Sequence, residues 1–169
     1  SAPKRLSFCM PDINEATIAI SIDERRVYAY QDITGNGDIY SSALKNNKFQ
    51  LLETVDFKGV NTDYWETHCT VTPDGNNIYF VSERPGGYGG RDIYRIVRMM
   101  DGSWSEPQNL GPKINSAYDE ESPFIAVDNK TMYFASNGPN SNGGFDIFVT
   151  VRDDNNVWSD PINLGYPIN

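Results

Sequence analysis

The stretch Thr70-Val-Thr-Pro-Asp-Gly75 runs into Asn77-Ile-Tyr-Phe-Val-Ser82, and Arg91-Asp-Ile-Tyr94 follows after a glycine-rich segment. A second copy of this order begins at Thr131-Met-Tyr-Phe-Ala-Ser136 and continues with Phe145-Asp-Ile-Phe148. The two copies end in related segments, Ser103-Trp-Ser-Glu-Pro-Gln-Asn-Leu-Gly111 and Val157-Trp-Ser-Asp-Pro-Ile-Asn-Leu-Gly165. Self-similarity of this length indicates a repeat architecture.

One period relates all copies of the pattern. From Asp38 to Asp92, and again from Asp92 to Asp146, is 54 residues, and Trp104 and Trp158 are separated by the same interval. A third, more divergent copy therefore begins near residue 12. The period divides the chain into repeats at about 12–63, 64–118 and 119–169 within a single domain, 1–169.

Each repeat contains the pattern of four short strands. Pro-Asp-Gly and Asp-Asn-Lys segments favour tight hairpin turns, because Asp, Asn and Gly tolerate positive φ. The runs 78–81 and 132–135 are apolar at successive positions, as expected of strands buried on both faces. A four-stranded repeat of this kind predicts an all-β chain forming three blades of a β-propeller.

Three blades do not close a ring, since propellers have about 4–8 blades. We expect the open faces to be covered by further blades, by a second copy or by another domain. Residues 1–11, with Lys4-Arg-Leu-Ser-Phe8, are expected to supply an outer strand of a preceding blade.

The motifs resemble the WD-like propeller repeats of the TolB type. The resemblance rests on Pro73-Asp-Gly75, Ile78-Tyr-Phe80, Gly90-Arg-Asp-Ile-Tyr94 and Glu120-Glu-Ser-Pro123. The Trp-Ser-x-Pro-x-Asn-Leu-Gly ending is similar to repeats that accompany an OmpA-like domain in Gram-negative envelope proteins, an organisation shared by the PorE component of type IX secretion. The resemblance covers about residues 12–169, and the first repeat departs from it in having Phe49 where the others have Trp.

This resemblance implies a periplasmic, outer-membrane-associated module that binds envelope proteins. It also implies a link to peptidoglycan only through a domain that this chain does not contain. We therefore expect a non-catalytic scaffold of a secretion or peptidoglycan-associated complex. A glycan-binding lectin, or a propeller-type glycosidase or peptidase-associated domain, is the alternative.

Composition excludes several classes of function. The 14 Lys and Arg against 23 Asp and Glu give a net charge of −9, which disfavours nucleic acid and anionic membranes as partners. No stretch approaches the roughly 18 apolar residues of a membrane span, and no signal peptide is expected at the start. Cys9 and Cys69 lack metal-ligand spacing, so we expect two buried thiols, with a single disulfide as the alternative.

Most candidate chemical groups recur with the repeat. Asp38, Asp92 and Asp146, like the tryptophans Trp104 and Trp158, are expected to stabilise turns and blade packing, because a catalytic group is needed only once. The turn residues Asp23, Asp74 and Asp128 and the matched pair Glu66 and Glu120 are expected to be structural for the same reason. The segments 74–77 and 153–156 lack the ligand spacing of a calcium loop, so no metal or cofactor is predicted.

A few groups do not recur. His68, the only histidine, is expected on an inner strand near the central channel, and Glu83 is the best lone catalytic candidate. The glycine-rich loop that follows Glu83 carries Arg84, Tyr88 and Arg91, which we predict to contact a partner because Arg and Tyr are favoured at interfaces. This loop lacks the Gly-Lys-Ser/Thr ending of a phosphate-binding loop.

Overall fold

The computed structural model describes residues 6–33, 35–55 and 57–169. All regular secondary structure in these ranges is β, arranged as 13 strands in three antiparallel sheets. The prediction of an all-β chain with three blades is therefore confirmed. No helix in the described ranges is long and apolar enough to cross a membrane.

Blade 1 differs from the other two at its outer edge. Its strands are β1 (Asn14–Ile20), β2 (Arg26–Asp32), β3 (Asp38–Lys45), β4 (Lys48–Phe49) and β5 (Glu53–Thr54). Both β4 and β5 pair with β3, so two short strands share the position of a fourth strand. The cause is a tight turn at Asn46 and Asn47, whose φ values of 52° and 58° fold the extended end of β3 back on itself.

Blades 2 and 3 have four strands each in simple sequential order. Blade 2 contains β6 (Cys69–Val71), β7 (Asn77–Ser82), β8 (Asp92–Val97) and β9 (Gln108–Asn109). Blade 3 contains β10 (Glu120–Ile125), β11 (Thr131–Ser136), β12 (Asp146–Val151) and β13 (Ile162–Asn163). The innermost strands β1, β6 and β10 contact one another in turn, which places the three blades successively around one axis.

Asp-containing hairpins join the first two strands of each blade. In blade 2, Asp74 Oδ1 accepts hydrogen bonds from Thr72 Oγ1 at 2.5 Å and from the Asn76 backbone N–H at 3.0 Å. Gly75 adopts a φ of 70°, in the left-handed region where glycine is favoured. Asp23 and Asp128 accept equivalent bonds in blades 1 and 3, so all three form turns of the expected kind.

The middle blade is buried on both faces. Along β7, Ile78 and Phe80 pack toward blade 1, whereas Tyr79 and Val81 pack toward blade 3. The alternation follows from the two-residue period of a strand. Two separate cores result, one in each gap between blades; burial of each large apolar side chain there contributes about 1.5–3 kcal/mol. The blade 1–2 core contains Tyr28, Ile39, Val60, Cys69, Ile78, Phe80, Tyr94 and Ile96. The blade 2–3 core contains Tyr79, Val81, Ile93, Ile114, Ile125, Met132, Phe134, Phe148 and Trp158.

The repeated tryptophans lie in these gaps. Trp158 meets the ring of Tyr79 in the preceding blade edge-on, with ring centroids 5.9 Å apart. Trp104 meets Phe57 in the same way at 5.0 Å. Each tryptophan therefore packs against an aromatic ring of the preceding repeat.

A repeated asparagine holds the segment after each blade. Asn115 Oδ1 accepts a hydrogen bond from the Ile93 backbone N–H at 2.8 Å, and its Nδ2 donates to the Ile93 carbonyl at 3.0 Å. Asn61 and Asn169 bind the backbones of Ile39 and Ile147 in the same two-bonded way. The amide thereby satisfies both backbone groups of the first apolar residue in the third strand.

The two outer faces of the array differ. Phe8 is buried and lies edge-on to Phe49 with ring centroids 6.4 Å apart, so residues 6–8, which form a turn, help to cover blade 1. Lys4 and Arg5 of the expected outer strand lie outside the described residues. In blade 3, Tyr133 and Ile147 are 36% and 40% exposed, whereas their counterparts in blade 2 are fully buried.

Substitutions on the two faces of β11 test which face belongs to the core. Phe134→Ala should lower the free energy of unfolding by about 3–5 kcal/mol, because it opens a cavity between blades 2 and 3. Tyr133→Ala, on the exposed face of the same strand, should cost less than about half as much. Urea unfolding of both variants measures this, and equal losses would contradict the assignment of the core.

Candidate functional site

The candidate site lies where the long loop of blade 2 meets the segment joining blades 2 and 3. We call the surface formed by residues 83–91 and 111–119 the loop face. The loop connects β7 to β8, and the joining segment leads from β9 to β10. All three residues predicted to bind a partner, Arg84, Tyr88 and Arg91, belong to this loop.

Asp92 fixes the shape of the loop. Its buried carboxylate accepts hydrogen bonds from the backbone N–H groups of Tyr88 and Gly89 at 2.6 and 3.1 Å, and from Asn109 Nδ2 at 2.7 Å. Asp146 accepts equivalent bonds from the Asn142 N–H and Asn163 Nδ2. The repeated aspartates of blades 2 and 3 thus tie a glycine-rich loop to the outer strand.

Asp38 has the same position in blade 1 but fewer hydrogen-bond donors around it. Val55 stands where the other repeats have Asn109 and Asn163, so the side-chain amide donor is missing. Asp38 Oδ1 is buried and has no hydrogen-bond partner among the residues that the structure describes. Burial accordingly raises the pKa of the Asp38 carboxyl above its usual value.

The glycines of the loop permit close packing. A Cβ atom on Gly89 would lie 1.8 Å from the Tyr118 carbonyl oxygen, so no larger residue fits there. The N–H of Gly90 donates to that same carbonyl at 3.2 Å, and the N–H of Arg91 donates to Asp119 Oδ1 at 3.1 Å. Glycine here therefore serves a close contact between loop and joining segment, and the loop is held at both ends.

Arg84 makes its contacts within the protein. Its guanidinium donates to the carbonyls of Gly59 and Val60 at 2.7 and 2.6 Å, and it lies over the rings of Phe80 and Tyr94 at 5.1 and 4.9 Å. Only 15% of its side chain is exposed. Arg84 is thus placed to position the segment between blades 1 and 2.

Arg91 bridges two carboxylates. Its Nε donates to Glu83 Oε1 at 2.8 Å, and its NH1 group pairs with Glu121 of blade 3. One third of the Arg91 side chain remains exposed. Glu83, the lone catalytic candidate from the sequence, is therefore held in an ion pair beside the loop.

Tyr88 lies at the tip of the loop and is 50% exposed. Tyr118, on the joining segment that carries the loop, is 53% exposed, and sequence reasoning did not single it out. The repeat could have identified Tyr118, because Tyr64 lies 54 residues before it at the same repeat position. Tyr64 is 46% exposed. Two half-exposed tyrosines on a braced backbone are therefore the large aromatic side chains that the loop face presents to solvent.

The matched glutamates are buried beneath this surface. Glu120 accepts hydrogen bonds from the N–H and Oγ of Ser116 at 2.8 and 2.7 Å, and from Ser136 Oγ at 2.8 Å. Glu66 makes the same set of contacts with Thr62 and Ser82. Burial raises the pKa of both carboxyls, although these donors oppose the shift. These recurring hydrogen bonds fix the backbone just before or at the start of the inner strands β6 and β10.

His68, expected on an inner strand, lies immediately before the inner strand β6. Burial and the nearby Arg91 charge lower its pKa, and its Nδ1 has no hydrogen-bond partner among the described residues. Cys9 and Cys69 are not joined in a disulfide; Cys69 is buried whereas Cys9 is partly exposed, and burial raises the pKa of Cys69. Within the described ranges, no group of three His, Cys, Asp or Glu side chains is placed to bind a metal ion.

Comparison with solved structures establishes the fold as that of TolB-like propellers. A putative TolB from Agrobacterium tumefaciens superposes with a TM-score of 0.60 at 20% identity, over 92% of this chain and 50% of that one. TolB from Acinetobacter baumannii gives 0.57 at 22% identity, over 89% of this chain and 32% of that one. The chain thus spans half or less of each of these proteins. No family model and no curated protein matches the sequence.

The contrast between Asp92 and Asp38 makes the structural role of the repeated aspartate testable. Asp92→Ala should lower the free energy of unfolding by about 1–3 kcal/mol, because three donors lose their acceptor. Asp38→Ala should cost distinctly less, since Asp38 lacks the asparagine donor. Urea unfolding measures both variants, and an unchanged stability of the Asp92 variant would contradict the role.

The raised pKa of Asp38 predicts a specific pH dependence. Its folded-state pKa lies above the unfolded value, so its contribution to stability falls as the pH rises from the unfolded to the folded pKa. Asp38→Asn cannot ionise and should gain stability relative to the wild type at about pH 7, but not at about pH 3. A difference between the two proteins that does not change with pH would contradict this assignment.

Proposed function

We propose that this chain is a non-catalytic β-propeller module that binds a protein partner through the loop face. The observation that carries the proposal is the pair of half-exposed tyrosines, Tyr88 and Tyr118, on a backbone that Asp92 and Gly89 hold in place. Aromatic side chains presented on a rigid scaffold lose little conformational entropy on binding. They are also frequent centres of binding energy in interfaces.

The three residues selected from the sequence have different parts in this proposal. Tyr88 contacts the partner directly, and the exposed third of Arg91 contributes a charge beside it. Arg84 acts from beneath by fixing the segment between blades 1 and 2. Tyr118 joins Tyr88 in the contact.

We also propose a cellular location and a class of partner. The TolB-like fold and the Trp-Ser-x-Pro-x-Asn-Leu-Gly repeats support a periplasmic module, associated with the outer membrane, whose partner is another envelope protein. A secretion complex or a peptidoglycan-associated assembly would suit such a scaffold. Contact with peptidoglycan would then require a domain other than this propeller segment.

Site-directed photocrosslinking tests the loop face. A photoreactive phenylalanine analogue in place of Tyr88 should crosslink to an envelope protein in cells of the source organism, because the tip of the loop is buried in the complex. In that background, Tyr118→Ala should lower the yield of the crosslinked product by about tenfold, a loss equivalent to about 1.4 kcal/mol of binding energy.

The matched control carries the same analogue in place of Asn155, an exposed turn residue between β12 and β13. It should give no such product. Equal crosslinking from both positions, or none from position 88, would overturn the proposed function.

A further inference from the structure

A large cleft lies between blades 1 and 2, at the ends of the strands that point away from the loop face. It has a volume of about 820 Å³ and is bordered by the β1–β2 turn, the end of β3 and the residues that follow β8. This volume falls in the range of small-molecule binding sites, about 300–1,000 Å³. We call it the cationic cleft because of the side chains that line it.

Positive charge is concentrated in this cleft although the whole chain is acidic. Five of the 14 Lys and Arg residues line it, against a single carboxylate, Asp23. The five are Arg25, Arg26, Lys45, Lys58 and Arg98. Only Lys58 has an ion-pair partner among the described residues, Glu106 at 2.5 Å. A cluster of cations without matching carboxylates is unfavourable by itself and favours an anionic ligand.

Comparison of the repeats shows that most of these cations are not needed for the fold. The residues of blade 2 that correspond to Arg25, Arg26 and Lys45 are Asn76, Asn77 and Met99, none of which is charged. Arg98 does recur, as Arg152, but Arg152 is buried over the ring of Trp158. The charge of the cleft is therefore specific to the first gap between blades.

The wall of the cleft adds flat apolar surface and hydroxyl groups. The rings of Phe57 and Trp104 meet edge-on at 5.0 Å, and both border the cleft. Ser41, whose Oγ accepts a hydrogen bond from Arg26 NH1 at 3.1 Å, lies on the same wall. Guanidinium groups bind carboxylates and phosphates in paired hydrogen bonds, and aromatic faces bind apolar faces of a ring.

We propose that the cationic cleft binds an acidic saccharide, that is, a short sugar chain bearing a carboxylate or phosphate. The anionic group pairs with Arg25, Arg26 and Arg98, and the C–H face of a sugar ring packs on Trp104. A long polyanion is disfavoured because the rest of a chain with a net charge of −9 repels it. This site is on the opposite face from the proposed protein contact and does not depend on that function.

Titration calorimetry with matched sugars tests the proposal on the whole chain. Trehalose 6-phosphate is compared with trehalose, and trigalacturonic acid with maltotriose. At least one acidic sugar should bind about tenfold more tightly than its neutral counterpart, and more weakly as salt is raised. The trehalose 6-phosphate comparison tests recognition of a phosphate, and the trigalacturonic acid comparison tests recognition of a carboxylate. Quenching of tryptophan fluorescence that is lost in Trp104→Phe would place the sugar on the aromatic wall.

Charge-matched variants separate the cleft from general electrostatics. Arg25→Gln with Arg98→Gln should weaken binding by about tenfold, whereas Lys48→Gln with Lys130→Gln, which removes the same charge from exposed residues that do not line the cleft, should change it less than about twofold. Both pairs are surface changes, and circular dichroism verifies their folding. Equal loss in both variants, equal binding of neutral sugars, no binding of either acidic sugar, or tighter binding of hexaglutamate would overturn the proposal.

Discussion

The structure depends on sheets that are apolar on both faces. Such a sheet is stable in water only between two others, because each face otherwise leaves large apolar side chains exposed. Blade 2 meets this condition fully: Tyr79 and Phe80, neighbours on β7, are both completely buried, one against each adjoining blade. The succession of blades around an axis and the tryptophans in the gaps are consequences of this single constraint.

Polar groups follow a second, related logic. Packing blades together buries backbone and side-chain polar atoms near their edges, and each needs a partner. The repeated Asn115, Asp92 and Glu120 supply these partners in every well-formed repeat, which is why they return at 54-residue intervals. Positions that depart from the period are not needed for this packing and are free to serve binding. Tyr88 on the loop face and Arg25 in the cationic cleft are both departures of this kind.

Sequence predicted the blades because their signals are local and periodic: Asp in each hairpin, apolar runs for each buried strand, and one interval for Asp38, Asp92 and Asp146. It did not predict the engagement of Arg84, since the carbonyls of Gly59 and Val60 lie 25 and 24 residues earlier in the chain. The division of the outer edge of blade 1 depends on a turn at Asn46 and Asn47.

Sequence indicated the loop that carries Tyr88, but it missed the cationic cleft and Tyr118 for a similar reason. The cationic cleft combines side chains from Arg25 to Arg98, and no spacing rule relates them until two blades pack together. The repeat identifies Tyr118 as a recurring position, because Tyr64 is its counterpart. The sequence does not show that Tyr118 is exposed, because exposure depends on how the blades pack. Contacts within a repeat are therefore predictable from the sequence, and surfaces between repeats require the structure.

Burial between blades stabilises the chain, and native-state hydrogen exchange of the backbone amides tests this most directly. We expect the slowest exchange in β7 and β8 of the sandwiched blade 2, at the free energy of global unfolding, and faster exchange in β11 and β12 of blade 3, whose outer face is open. Equal protection in blades 2 and 3, or greater protection in blade 3, would contradict stabilisation by burial between blades.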